Sequence, residues 1–365
     1  MVQLRRRGKR QHHRANRRSM MTVTIALSTV ALLGACGQVD AASTKVSLLP
    51  NTGAKGKSWE WTAACPFGPS NPSGCDPSGP NLGTSQLDGD EWNLGGGPAA
   101  GGSVTMSVDS SGGLMVDGSL ASAPPCTTSA CIASSANTWV RGYPGVLYGL
   151  NQCHAETSPP ESPELPLPMS VASIPSDLIG TTAYSSQAPN VTYDVAYDMW
   201  MSNSDTKTPC KGSGTVEVMV WTDYGARALL PDGMKVGTAT IPFSVNGAVH
   251  SGNQAWSLYA TNIYQAGATA PWGGTLWIVL NPADVIRQGT VTVDLSSALA
   301  AAGAVLQKNY GWSAFKSDHW LDTISFGMEF GPENADPYGS GSSYFLWKLS
   351  SDCLEVGATV AKAGC

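Results

Sequence analysis

The sequence predicts an all-β protein, a sandwich or barrel of short strands. The chain has 365 residues, 42% of them hydrophobic, so it can bury a full core, while 41 Gly and 24 Pro disfavour a helical architecture. Short runs in which apolar and polar residues alternate recur between clusters of Gly, Pro, Asn, Asp and Ser. Neither an internal repeat nor a sustained heptad accompanies them.

The first 35 residues differ from the rest. Arg5, Arg6, Arg7, Lys9, Arg10, Arg14, Arg17 and Arg18 form a basic region, followed by an apolar run from Met20 to Ala35. That run is short for a membrane span, and its flanking charge is one-sided, as in an export signal. Leu33-Gly34-Ala35-Cys36 resembles the bacterial lipobox, which implies lipidation of Cys36 as the first mature residue. Ordinary cleavage after Val39-Asp40-Ala41 is the alternative, and Arg17-Arg18 leaves both export routes open. Without the leader, 13 of the 21 Lys and Arg remain against 27 Asp and Glu, a balance of −14. Nucleic acid is therefore not expected as a partner.

Residues 36–58 read as a spacer rich in small and polar residues, and 59–365 as the folded domain, entered through the Pro- and Gly-rich stretch WTAACPFGPSNPSGCDPSGP. Beyond Cys36 there are eight cysteines, an even set that reads as disulfides in an exported chain. The spacing does not fix the pairing. Nearest neighbours give Cys65 with Cys75, Cys126 with Cys131, Cys153 with Cys210 and Cys353 with Cys365. None shows metal-ligand spacing, and no metal or organic cofactor is expected.

Strands are expected at Ser103–Val108, Gly113–Asp117, Thr192–Met201, Thr215–Thr222, Ala255–Ala260, Thr275–Asn281, Thr290–Leu295, Thr323–Phe330 and Ser343–Leu349. One helix is expected over Ser296–Gln307, which is rich in Ala and Leu, with Asp294 before it and Asn309 and Gly311 after it. Three of the strands share a pattern, because side chains alternate between faces. In GTVEVMVW, Val216, Val218 and Val220 share one face, and Thr215, Glu217, Met219 and Trp221 the other. In VTYDVAYDMWM, Tyr193, Val195, Tyr197 and Met199 oppose Asp194, Ala196, Asp198 and Trp200. In LDTISFGMEFG, Ile324, Phe326, Met328 and Phe330 oppose Thr323, Ser325, Gly327 and Glu329. Several carboxylates on one sheet face make a poor core. They suit a glycosidase cleft, where one carboxylate attacks the sugar, a second protonates the leaving oxygen and aromatic rings stack on pyranoses.

These residues resemble glycoside hydrolase family 12. The resemblance rests on VRGYPGVLYG (Val140–Gly149), DVAYDMWM (Asp194–Met201), VEVMVW (Val216–Trp221), GNQAWSLYA (Gly252–Ala260) and ISFGMEFG (Ile324–Gly331), in that order. It implies a β-jelly roll of two curved antiparallel sheets with a substrate groove on the concave face. It also implies a monomeric endo-β-1,4-glucanase or xyloglucanase, with β-glucan as partner and any membrane contact made only through a lipid at Cys36. Glu217 matches the family nucleophile, Glu329 the general acid/base and Asp198 the acid that supports the nucleophile. Met219 and Trp221 would line the substrate face, with core packing at the sheet edge an equal alternative for Trp221, and Trp92, in DGDEWN, resembles a sugar platform. The chain has Asp90-Glu91 before Trp92, where the family commonly has Asn, and Gly327-Met328-Glu329-Phe330 departs from the usual Thr-Glu-Pro, which leaves room for altered specificity.

Asp223 and Asp322 read as strand-end turn residues, and Glu333 as a loop acid. Trp256, Trp272, Trp277, Trp312, Trp320 and Trp347 are not sorted between core and platforms. No Gly-x-Ser-x-Gly or His-Glu-x-x-His occurs, so serine-hydrolase and zinc-protease chemistries have no foothold. A carbohydrate-binding jelly roll without catalysis is the alternative to an enzyme.

Overall fold

The alternating runs form the strands of a β-jelly roll, two sheets packed face to face. The computed structural model describes residues 43–49, 59–65, 78–88, 102–108, 113–120, 140, 142–150, 162–188, 191–203, 214–225, 234–250, 255–261, 263, 273–312, 318–332 and 343–365. The export signal, Cys36, Trp92, Trp272 and Glu333 lie outside them. So do Cys75, Cys126, Cys131, Cys153 and Cys210 and the side chain of Cys65.

The first sheet runs in the order β14 (Ala248–His250), β13 (Phe243–Val245), β17 (Gln288–Asp294), β9 (Ile179–Gln187), β19 (Ser343–Val356), β6 (Leu114–Leu120), β5 (Gly102–Val108) and β2 (Trp59–Cys65). A further strand, β1 (Thr44–Ser47), also pairs with β19. The second sheet runs β12 (Lys235–Thr240), β15 (Ala255–Ala260), β16 (Gly274–Val279), β11 (Val216–Tyr224), β10 (Val191–Ser202), β18 (Trp320–Pro332), β7 (Gly145–Gly149), β4 (Gln86–Asp88) and β3 (Ser78–Asn81). Strand β8 (Met169–Ser170) pairs with β18. The pairing is antiparallel, as expected, except between β11 and β16, which are parallel. After β11 the chain leaves to make β12, β13 and β14 and returns as β15, whose antiparallel partner β16 then runs in the direction of β11.

The core lies between the sheets and takes the aliphatic face of each site strand. Val216, Val218 and Val220 of β11, Val195, Tyr197 and Met199 of β10, and Ile324, Phe326, Met328 and Phe330 of β18 are all fully buried. Phe326 packs on Tyr197, Tyr184 and Trp347, with ring centroids 4.7, 5.6 and 5.9 Å away. Burial contributes about 1.5–3 kcal/mol for each such side chain, which clamps these strands and leaves the opposite face free for polar residues.

The helix α1 (Leu295–Tyr310) extends the expected span at both ends. Asp294 caps it, accepting from the Ser297 N–H at 2.8 Å, and Gly311 ends it at φ 73°, a left-handed conformation that glycine adopts without steric cost. Its stripe of Leu295, Ala298, Leu299, Ala302, Val305 and Leu306 is buried.

The spacer expected over 36–58 is corrected within the described residues, because Thr44–Ser47 is the strand β1 and Val46, Leu48 and Leu49 are buried in the core. Lys45 also pairs with the buried Glu355 at 3.1 Å. Asp223 and Asp322 are corrected too. Both sit inside strands and are fully buried, and Asp223 accepts from Ser186 Oγ at 2.5 Å. Cys353 and Cys365 form a disulfide, one of the four nearest-neighbour pairings.

Candidate active site

Strands β11, β10 and β18 lie side by side in the second sheet, with β10 in the middle. Their register brings the polar faces together. On β10, Asp194 opposes Glu329, Ala196 opposes Gly327, Asp198 opposes Ser325 and Trp200 opposes Thr323 of β18. On the other flank, Ala196 opposes Trp221, Asp198 opposes Met219 and Trp200 opposes Glu217 of β11. Asp194, Asp198, Glu217 and Glu329 therefore share one sheet face. Glu217 and Glu329 stand on the two flanking strands, staggered along β10 with Asp198 between their levels.

Glu217 is half-buried, and its Oε2 accepts a hydrogen bond from Thr275 Oγ1 at 2.5 Å. The parallel pairing of β11 with β16 makes this possible by placing Thr275 beside Glu217. Asp198 is 5% exposed and accepts from the indole N–H of Trp200 at 2.9 Å, while the Asp198 carbonyl accepts from Ser325 Oγ at 3.2 Å.

Glu329 is 8% exposed, and Asp194, across from it, is fully buried. Burial first, then the carboxyls of Glu329, Asp198 and Glu217, hold Asp194 well above the usual carboxylate range. Tyr143 covers the same strands: its hydroxyl donates to the Ala196 carbonyl at 2.7 Å, and burial, followed by Asp198, pushes its ionisation well up. The ring fits because Gly327 has no side chain, since a Cβ there would meet Tyr143 Cζ at 2.8 Å.

A second apolar cluster floors this face. It comprises Tyr143, Ala196, Met219, Trp221, Tyr224 and Val279, with the half-buried Tyr259, Trp277 and Val285 packed on it. Met219 and Trp221 are each only 1% exposed, packed within the cluster on this face, and present almost no surface on which a sugar could stack. For Trp221 this accords with core packing, the alternative to lining the groove. Trp277 and Tyr259 are the aromatics with accessible surface there, opposed on β16 and β15. Trp256, Trp312 and Trp347 belong to the main core.

Sequence reasoning placed Asp194 on the right face and gave it no role. Thr275, Tyr143 and Tyr259 carried no local signal, because each acts through a strand pairing remote in sequence. Among the described residues no group of three His, Cys, Asp and Glu is arranged to hold a metal ion. A half-buried glutamate fixed by a hydroxyl, and a buried glutamate paired with another acid, suit nucleophilic and general acid/base chemistry.

Comparison with known proteins agrees with this geometry. Residues 115–335 match the sequence profile of glycosyl hydrolase family 12. The family 12 xyloglucanase from Bacillus licheniformis in complex with ligand has a similar fold, at 16% identity and a TM-score of 0.51 over 82% of this chain and 98% of that chain. The native family 12 xyloglucanase from Bacillus licheniformis gives 15% identity and a TM-score of 0.50 over 80% and 99%. At such identities the likeness shows the fold alone. No curated protein matches the chain in sequence. The family profile spans more than half of the chain and takes in all three strands that carry the acids, and on that match the chain belongs to glycosyl hydrolase family 12.

Proposed function

We propose that this protein is an endo-acting β-1,4-glucan hydrolase that works by a retaining double displacement, with Glu217 as nucleophile and Glu329 as general acid/base. The observation that carries it is the register of β11, β10 and β18, which sets the two glutamates on strands flanking a third acidic strand. Glu217 attacks the anomeric carbon while Glu329 protonates the leaving oxygen. Glu329 then takes a proton from the water that opens the glycosyl-enzyme. Asp198 holds the nucleophile in place, one diagonal step away on β10. Retention requires the two carboxyl groups to work about 5–5.5 Å apart across the scissile bond.

The substrate class follows the family, whose solved members include a xyloglucanase from Bacillus licheniformis. A reducing-sugar assay on carboxymethylcellulose, barley β-glucan and xyloglucan tests the proposal. Wild-type turnover on at least one, abolished by Glu217→Gln and by Glu329→Gln, is the expected result. Binding without turnover on all three makes the chain a carbohydrate-binding jelly roll and sinks the enzyme. A 2-fluoro glycoside that labels Glu217 covalently reports retention directly, and a product of inverted configuration excludes it.

Export and lipid attachment at Cys36 belong to the same proposal and rest on the leader and on Leu33-Gly34-Ala35-Cys36. Mass spectrometry of the mature N-terminus decides between a diacylglyceryl-Cys36 and a plain cleavage after Ala41.

A further inference from the structure

Asp194 and Glu329 occupy directly opposed positions on β10 and β18, on the face that carries the four acids. One is fully buried and the other nearly so. Opposed Cβ atoms in an antiparallel pair lie about 4.5–5.5 Å apart, which brings two carboxyl groups on one face into contact range. Neither oxygen of Asp194 accepts a hydrogen bond from an N–H or O–H donor among the described residues. The group that meets Asp194 is another carboxyl, and two carboxyls bond to each other only through a proton. We propose that Asp194 and Glu329 share protons as one buried carboxyl pair, so that Asp194 is a positioning residue that governs when Glu329 can release its proton to a substrate. This rests on Glu329 being the general acid/base.

The titratable groups around Asp194 are Glu329 on β18, Asp198 on its own strand, Glu217 and Tyr224 on β11, and Tyr143 over the sheet. Among the described residues no cation is one of the groups acting on it, so these surroundings favour retention of protons, as the raised titration of Asp194 reflects. A coupled pair loses its protons in two macroscopic steps, one below and one above the value of either group alone.

These steps set the chemistry. With one proton on the pair, that proton lies in the O–H···O⁻ bond between the two carboxyls and is withheld from a glycosidic oxygen. With two protons, the Glu329 O–H is free to point at the substrate. Its proton then passes to the glycosidic oxygen, which also takes the electron pair of the breaking C1–O bond. The Glu217 carboxylate forms the new bond to C1, and the Asp194 O–H donates to the new Glu329 carboxylate. In the second half, water attacks C1 and its proton returns to Glu329. The C1–Glu217 bond breaks with its electron pair going back to Glu217, and both groups end as they began. Activity therefore ends at the lower of the two macroscopic steps. In Asp194→Asn the lone Glu329 carboxyl titrates once, between the two.

The test combines two readouts on the full chain. In a carboxyl-carbon NMR titration, the Asp194 and Glu329 signals of the wild type move together in two steps. In Asp194→Asn or Glu329→Gln the remaining carboxyl moves in one step, and independent single titrations in the wild type overturn the pair. In pH profiles of kcat/KM, Asp194→Asn shifts the basic limb to higher pH by about one unit or more. A limb that stays in place, or moves to lower pH, overturns the proposal. The NMR readout needs no turnover. If the chain cleaves none of the three glucans while the two carboxyls still titrate together, the assignment of Glu329 fails and the sharing of protons stands.

Discussion

Thr275 Oγ1 lies 2.5 Å from Glu217 Oε2, across the parallel pair of β16 and β11. The hydroxyl donates to the carboxylate and removes one degree of freedom from a side chain that is half-buried. A hydrogen bond to a charged group contributes about 1.5–3 kcal/mol. Thr275→Val keeps the shape and deletes the donor, so kcat falls about 10- to 100-fold while KM changes little. Steady-state kinetics on the best glucan check this, and an unchanged kcat removes Thr275 from the positioning of Glu217.

Trp277 and Tyr259 oppose each other on β16 and β15 and rest on the apolar floor of Met219 and Trp221. Both keep accessible surface, and Lys235 Nζ lies 6.0 Å from the Tyr259 ring centroid. Under the proposed function they are a shelf on which a sugar ring stacks, beside the strand of Glu217. Such contacts are worth about 0.5–1.5 kcal/mol, so Trp277→Ala raises KM for a polymeric glucan about 2- to 10-fold. Turnover of a short aryl glycoside that does not reach the shelf stays near wild type. Equal losses on both substrates instead assign Trp277 to packing.

The faces of β10, β11 and β18 were legible because alternation is a local property: each strand declares its two sides within a few residues. The partners of those faces were not. That Asp194 meets Glu329, or that Glu217 meets Thr275, depends on pairings between segments 135 and 58 positions apart, and no local pattern encodes such a register. The tryptophans were unsorted for the same reason, since Trp347 and Trp277 differ only in what the fold lays over them. Thr44–Ser47 failed as a spacer because its composition is that of a linker, while its structure comes from the edge that β19 offers. Asp223 and Asp322 misled because an acid at the end of an apolar run signals a turn, unless tertiary partners exist to receive it inside the strand.

Gly327 illustrates a constraint placed by the site on its scaffold. A Cβ at this position would lie 2.8 Å from Tyr143 Cζ and 2.9 Å from the Pro144 carbonyl. The backbone contact cannot move aside cheaply, and overpacking of this kind costs about 1–3 kcal/mol. Gly327→Ala should lower the melting temperature by several degrees. It should also lower activity, because the displaced Tyr143 ring covers the strand between Asp198 and Asp194. Thermal denaturation with a parallel assay checks both, and a melting temperature within about one degree of wild type contradicts the contact.

Asp352 lies between the sheets with both carboxylate oxygens buried and without a donor among the described residues, opposite Thr182 in the register of β19 and β9. Burial holds its ionisation well above the usual carboxylate range. The folded state therefore favours the neutral acid, while the unfolded chain ionises normally near pH 4. The stabilising preference for the neutral form is fully present below the unfolded value. It is lost as pH rises from there towards the folded value, at about 1.4 kcal/mol per pH unit. Asp352→Asn has no proton to lose and nearly the same shape. Its melting temperature should match wild type or fall slightly below it at pH 3.5, then gain on wild type as pH rises from about 4.5 through the interval in which only the unfolded chain ionises. A difference that stays constant across that interval shows that Asp352 ionises in the folded protein as it does in the unfolded chain, and removes the buried neutral acid from the account of stability.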